Sequence, residues 1–172
     1  EDVLLERIVG YPLHKKLLAI GRIPPNPPLA ELHMREAGRH LHVALEGLAD
    51  AENMGMILRN AAAFGVRSLI WGPDSTSPWL RRSIRVSLGN LFTLRIHRAE
   101  NVHTTLRQCR EEFAWRIIGT TSRGGSPLIE WKGEEAEHVC LLFGSEAEGL
   151  SDEALALCHA HFTIPMHRGV DS

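Results

Sequence analysis

Apolar residues in this chain come in short runs, and between the runs they recur at helical spacing. Leu41 to Leu48 alternates in part and predicts a strand. Asn53 to Phe64 puts Met54, Ile57, Leu58, Ala61 and Phe64 on one helical face, and Gly65 suits the left-handed position that ends a helix. Ser68 to Trp71 predicts a short strand. Ser77 and Pro78 have the chemistry of an N-cap and first helical residue, for a helix reaching about Leu88 and stopping at Gly89. Leu91 to Ile96 reads as a strand, Asn101 to Phe113 as a helix, Trp115 to Thr120 as a strand and Arg123 to Pro127 as a loop. The apolar run His138 to Phe143 predicts a strand buried on both faces. A glycine-bracketed loop follows, then a helix from Asp152 to Cys158 and a last strand from Phe162 to Met166. Strands alternating with helices mean right-handed βαβ units. The fold class expected is α/β, with a mostly parallel sheet and helices on both faces.

The first forty residues are less regular. Val3 to Val9 is short and amphipathic, and Tyr11 to Ile20 mixes apolar residues with His14, Lys15 and Lys16. Pro24-Pro-Asn-Pro-Pro28 excludes a helix or a central strand and predicts an extended, exposed connector. Residues 1–40 are therefore set apart as a lead-in with a Pro-rich connector, the end of an amino-terminal extension, and 41–172 as the main domain. The chain opens at Glu1 and stops directly after a strand, so a fragment of a longer protein is expected.

Composition narrows the class. At 172 residues, 44% hydrophobic and 23% charged, the chain suits one soluble globular domain with a proper core. No apolar run approaches the roughly 20 residues of a membrane span, so no membrane partner is expected. The net charge of −2 supplies no general basic field, and any RNA contact has to come from a local patch. Cys109, Cys140 and Cys158 have no metal-ligand spacing. They read as reduced core residues of a cytoplasmic protein, and no metal is expected.

Three loops at the carboxyl ends of strands carry the candidate chemistry: Ala49 to Asn53, leading into a helix with Gly55 and Arg59; Gly144 to Gly149; and the tail Pro165 to Ser172. Open α/β sheets bind ligands at such ends. The second loop is no dinucleotide fingerprint, because Gly144-x-Glu146-x-x-Gly149 puts a carboxylate where bare backbone would cradle a pyrophosphate. A neutral or cationic ligand fits better there. A Ser145–Glu148 capping box opening a helix is the plain alternative.

Together the loops resemble the three motifs of the SpoU/TrmH family of RNA ribose 2′-O-methyltransferases, in the SPOUT superfamily. The first motif matches as Asn53-Met-Gly-Met-Ile-Leu-Arg59 continuing to Phe64-Gly65, and the second as Phe143-Gly-Ser-Glu-Ala-Glu-Gly-Leu-Ser151. The third matches as Ile164-Pro-Met166 with Gly169 and Ser172, and Arg81 to Gly89 resembles the family's linking helix. The resemblance spans about Leu41 to Ser172; in the family the third motif continues as Leu-Asn-Val-Ser. It implies an α/β fold with a carboxyl-terminal trefoil knot, S-adenosylmethionine as methyl donor, tRNA or rRNA as substrate, and a homodimer. It also implies catalytic roles for Arg59, Asn53, Glu146 and Ser172, and a cofactor pocket built from Gly144, Glu146, Gly149, Ile164 and Met166.

Local chemistry agrees in part. Glu146 suits a sulfonium, the two glycines allow close backbone approach, and Ile164 and Met166 suit an apolar adenine slot. A guanidinium has no acceptor, so gripping the phosphate beside the target ribose is easier for Arg59 than acting as a base. Asn53 also reads as the N-cap of its helix, Ser172 as a turn residue and His167 as a solvated histidine. Arg81, Arg82 and Arg85, with Arg59 and Arg123, form a candidate RNA-binding patch or a solvated charged face. Trp79 beside it reads as a base-stacking ring or a buried anchor. The rival functions are an RNA-binding module without catalysis and a nucleotide-binding oxidoreductase, the second opposed by the missing G-x-G-x-x-G.

Overall fold

The computed structural model describes residues 7, 10, 19–33, 38–122, 124–133 and 136–167. The stretches expected at 3–9 and 11–20 fall almost wholly outside these residues, as do Arg123, Gly169 and Ser172. In order the chain forms β1 (His40–Leu45), α1 (Ala51–Ala63), β2 (Ser68–Trp71), α2 (Arg81–Val86), β3 (Arg95–Arg98) and α3 (Val102–Phe113). Then come β4 (Arg116–Thr120), β5 (Ser126–Pro127), β6 (His138–Phe143), α4 (Asp152–Leu157) and β7 (Ala160–Thr163).

The seven strands form one sheet in the order β3-β2-β1-β6-β4-β7-β5, with every pairing parallel. Alternate strand residues feed opposite faces. Val43, Leu45, Leu69 and Trp71 pack with Met54, Leu58 and Ala61 of α1. Ala44, Ile70, Ile117 and Leu142 pack on the other face with Leu106 and Cys109 of α3 and Ala154 of α4. The α/β class with helices on both faces therefore holds. The knot that the resemblance implies would fall in the carboxyl-terminal stretch, of which 168–172 lie outside the described residues.

This order fixes where a ligand belongs. After β1 the chain passes through α1 to β2 on one side, and after β6 through α4 to β7 on the other. The carboxyl ends of the neighbours β1 and β6 thus face a topological switch point, where diverging connections leave a crevice.

Several expected boundaries move. The helix after Ser77 is short: Ser77 Oγ accepts only from Trp79 N–H (3.2 Å), Leu80 is the N-cap, and Leu88 (φ 54°) and Gly89 (φ 80°) turn the chain left-handed soon after Val86. Leu91 to Ile96 is not a continuous strand, because Asn90–Thr93 forms a 3-10 turn that buries Leu91 before β3 begins. Phe64 is the C-cap of α1 and is 79% exposed, off the apolar face assigned to it. Ser126–Pro127, expected as loop, pairs with β7, and β7 itself ends at Thr163, short of Ile164 and Met166.

The Pro-rich segment is extended and largely exposed as expected, yet it is also docked on the edge strand. Asn26 Nδ2 donates to the Arg98 carbonyl (2.9 Å), Arg98 N–H donates to Asn26 Oδ1 (2.7 Å), and His97 Nδ1 lies 2.8 Å from the Pro27 carbonyl. Trp79 stands half-buried against Phe92 and beside this segment, in the role of an anchor.

Candidate active site at the switch point

The first loop is shaped by Asp50. Its Oδ1 accepts from the N–H groups of Glu52 (2.7 Å) and Asn53 (2.9 Å), so Asp50 caps α1. The cap role read for Asn53 is thereby corrected, because an acceptor three residues earlier already serves the Asn53 N–H. The Asn53 side chain is released toward the second loop, where Nδ2 donates to Glu146 Oε1 at 2.9 Å. The other oxygen of Glu146 accepts from Ala49 N–H at 3.3 Å. Partial burial pushes the Glu146 pKa up, but hydrogen bonds from Asn53 and from backbone N–H groups outweigh it and hold the carboxyl below its ordinary range.

The second loop is a closed turn. Ser145 N–H donates to the Gly149 carbonyl (3.1 Å) and Gly149 N–H returns to the Ser145 carbonyl (3.0 Å). A Cβ on Gly144 would stand 2.2 Å from the Gly149 carbonyl carbon, so only glycine lets the loop fold back there. Gly149 takes φ 76°, the left-handed turn that reverses the chain. The capping-box reading is corrected as well. Ser145 Oγ does accept from Glu148 N–H (3.0 Å), but this closes the turn. The helix starts later, where Ser151 Oγ accepts from Ala154 N–H (3.1 Å).

A second bridge between the loops was missed in the sequence. Glu46, the residue after β1, accepts from Ser151 N–H (3.0 Å) and Ser151 Oγ (2.6 Å), and lies 2.5 Å from His103 Nε2. Burial raises its pKa, yet the bonds from Ser151 and His103 prevail and lower it. His103 Nδ1 faces Glu153 at 3.0 Å. The signal available was a carboxylate directly after a buried strand, at the end where ligands bind. Between the loops opens a hollow of about 370 Å³ lined by Glu46, Ser145, Glu148, Ser151 and Asp152 among others. That volume lies within the roughly 300–1,000 Å³ of small-molecule sites. Its acidic wall fits a cationic ligand and repels a pyrophosphate.

The remaining candidates fall outside this core. Ile164 and Met166 lie beyond β7, 69% and 46% exposed, and form no enclosed slot among the described residues. Arg59 is exposed, six residues and about 9 Å of helix beyond Asn53. Among the described residues its side chain makes no hydrogen bond or ion pair. Arg81, Arg82 and Arg85 do gather, lining with Glu52 and Val86 an open hollow of about 480 Å³, with Arg82 paired to Glu52. Seven residues separate Glu52 from Arg59, which sets both on one face of α1. Gly55 lets α2 approach that helix, since a Cβ there would meet Val86 Cβ at 2.5 Å. The structure thus unites Asn53 with Glu146, and separately the three arginines of α2.

Known proteins resemble this chain in sequence and in fold. An uncharacterized tRNA/rRNA methyltransferase of Mycobacterium bovis is 33% identical over 98% of this chain and 58% of its own length. A 23S rRNA (guanosine-2'-O-)-methyltransferase RlmB of Acinetobacter baylyi is 26% identical over 98% of this chain and 68% of its own. The crystal structure of an AdoMet-bound rRNA methyltransferase from Sinorhizobium meliloti superposes with a TM-score of 0.75 at 29% identity, over 86% of this chain and 54% of that one. The chain therefore spans a little over half the length of the mycobacterial relative and of that structure. The model of the SpoU rRNA Methylase family matches residues 40–172, from the start of β1 through both loops of the switch point, and the chain belongs to that family.

Proposed function

We propose that the protein transfers a methyl group from S-adenosylmethionine to the ribose 2′-hydroxyl of a nucleotide in tRNA or rRNA. The observation that carries this reading is the Asn53–Glu146 bond, which joins two family motifs, 93 residues apart, across the crevice. The relatives named as tRNA/rRNA and 2'-O-methyltransferases, and the AdoMet-bound neighbour, support the substrate class and the donor.

Gly144, Glu146 and Gly149, with Ile164 and Met166 from the third motif, would hold the donor, which supplies an electrophilic methyl group on a positively charged sulfur. Glu146, ionised near neutral pH, stabilises a cation beside the loop. Asn53, fixed by that carboxylate, presents its amide where a ribose enters. Arg59 grips the adjoining phosphate as a permanent cation, and Arg81, Arg82 and Arg85 extend that grip along the RNA backbone. The ribose 2′-hydroxyl, held in line by Asn53 and Arg59, would accept the methyl group that the donor supplies and would lose its proton to solvent. Orientation accounts for much of the acceleration. Ser172 completes the third motif. A homodimer and a cytoplasmic setting belong to the same reading, supported by the family resemblance and by three cysteines free of disulfides. Among the described residues no helix is long and apolar enough to cross a membrane.

The test is transfer of labelled methyl to RNA by the complete protein. Arg59→Ala abolishes transfer; normal activity in that variant would refute the assignment. The exposure of Ile164 and Met166 favours a second reading, a catalytically weak or inactive RNA-binding module of the same family. Calorimetry separates the two, because a module binds RNA and gives no heat with S-adenosylmethionine.

A further inference from the structure

The amino ends of β1 and β6 lie at the opposite end of the sheet from the candidate active site, and imidazoles gather there. His40 is the register partner of His138, so the two side chains leave neighbouring strands on the same face. They are 5% and 2% exposed. Glu137 precedes β6 with its side chain in solvent, and its carbonyl accepts from His40 N–H at 2.7 Å. One ligand atom from each of His40, Glu137 and His138 lies within 4.8 Å of the others. Around tetrahedral zinc the donor atoms stand about 3.3 Å apart, given bonds of about 2.0–2.1 Å, so small side-chain rotations close the set.

The surroundings suit a ligating histidine. His138 Nδ1 lies 3.0 Å from His42 Nε2, and His42 Nδ1 lies 2.7 Å from Ser68 Oγ. With a cation on the Nε2 side of His138, its Nδ1–H donates to His42, and the His42 Nδ1–H donates to Ser68. Every proton then has a place, and the chain is the outer support that metal-bound histidines commonly have. Trp115 stacks on the His138 ring (centroids 5.7 Å, 3°) and His33 leans on it (4.5 Å), which fixes its orientation. Nδ1 of His33 is itself buried without a hydrogen-bond partner among the described residues, a further nitrogen beside the cluster. Two imidazoles and one carboxylate are donors for zinc and its neighbours, not for calcium or magnesium.

We propose that His40, Glu137 and His138 bind a zinc-class divalent cation that ties β1 to β6 at the end remote from the candidate active site. The expectation of no metal rested on cysteine spacing, which is blind to histidines 98 residues apart that meet only through strand register.

The test is titration of the metal-free chain with zinc by calorimetry, with a competing chelator. One equivalent binds, and Glu137→Gln, a change at an exposed side chain that spares the core, weakens it about tenfold or more. His138→Asn removes the binding, and His167→Asn, outside the cluster, leaves it unchanged. Absence of one-equivalent uptake by the unmodified chain at micromolar zinc would overturn the site. So would equal affinity in the Glu137→Gln variant, or loss of binding in the His167→Asn variant.

Discussion

Two glutamates join the loops at the switch point, and they do so in opposite directions. Glu46 follows β1 and holds Ser151 of the second loop; Glu146 follows β6 and holds Ala49 and Asn53 of the first. Each loop therefore supplies the anchor for the other. The surroundings differ. The Glu46 side chain is 16% exposed and shared between Ser151 and His103, whereas Glu146 is exposed with its two contacts at the lip of the crevice. In both, hydrogen bonds outweigh burial and lower the pKa. Similar chemistry thus serves two ends. A half-buried carboxylate with several donors is costly to disturb and joins the loops. An exposed one exchanges its partners at little cost.

This contrast is open to breaking. Glu46→Ala strips acceptors from Ser151 and His103 in a half-buried place and should cost about 2.5 kcal/mol in urea unfolding. Gly144→Ala forces a Cβ into the backbone of Gly149 and should cost about 2 kcal/mol, with loss of S-adenosylmethionine affinity in calorimetry. Asn53→Asp sets a carboxylate against Glu146 and should cost about 1 kcal/mol, more at low salt than at high salt. Glu146→Gln should lower stability by less than about 0.5 kcal/mol while abolishing methyl transfer, and a loss as large as that of Glu46→Ala would erase the distinction.

Acid supplies a fifth and subtler test. The Glu46 pKa is lowered on folding from its ordinary 4.5, so its contribution is fully present above about pH 4.5 and is lost as pH falls through the folded value. The stability gap between the wild type and Glu46→Gln should therefore narrow below pH 4.5. A gap that widens on acidification would contradict the bonding described.

The sequence revealed the frame of this molecule better than its joints. Ser68–Trp71 and His138–Phe143 were legible residue for residue, because continuous apolar strands bounded by polar residues leave little choice. Asn53 reads as a cap because two acceptors stand three residues apart, and only the fold shows that Asp50 takes the role. The α2 helix is shorter than the pattern from Ser77 to Leu88 predicts, because Ser77 and Pro78 have cap chemistry but the chain turns once more before Arg81. Asn53 and Glu146 were legible as residues, yet their contact depends on β1 lying beside β6. Glu46 shows in the sequence only by its place directly after a buried strand, since its partner Ser151 is 105 residues away.

Asn26 has one more consequence, and it is colloidal. By meeting both the N–H and the carbonyl of Arg98, its amide imitates the backbone of a neighbouring strand at an edge where the described residues place none. Four prolines around it prevent that imitation from being extended by a further chain. The segment acts as a chain terminator for β-pairing. A shortened form starting after Pro28 would present β3 as an open template, and its failure in storage would be fibrous association rather than unfolding.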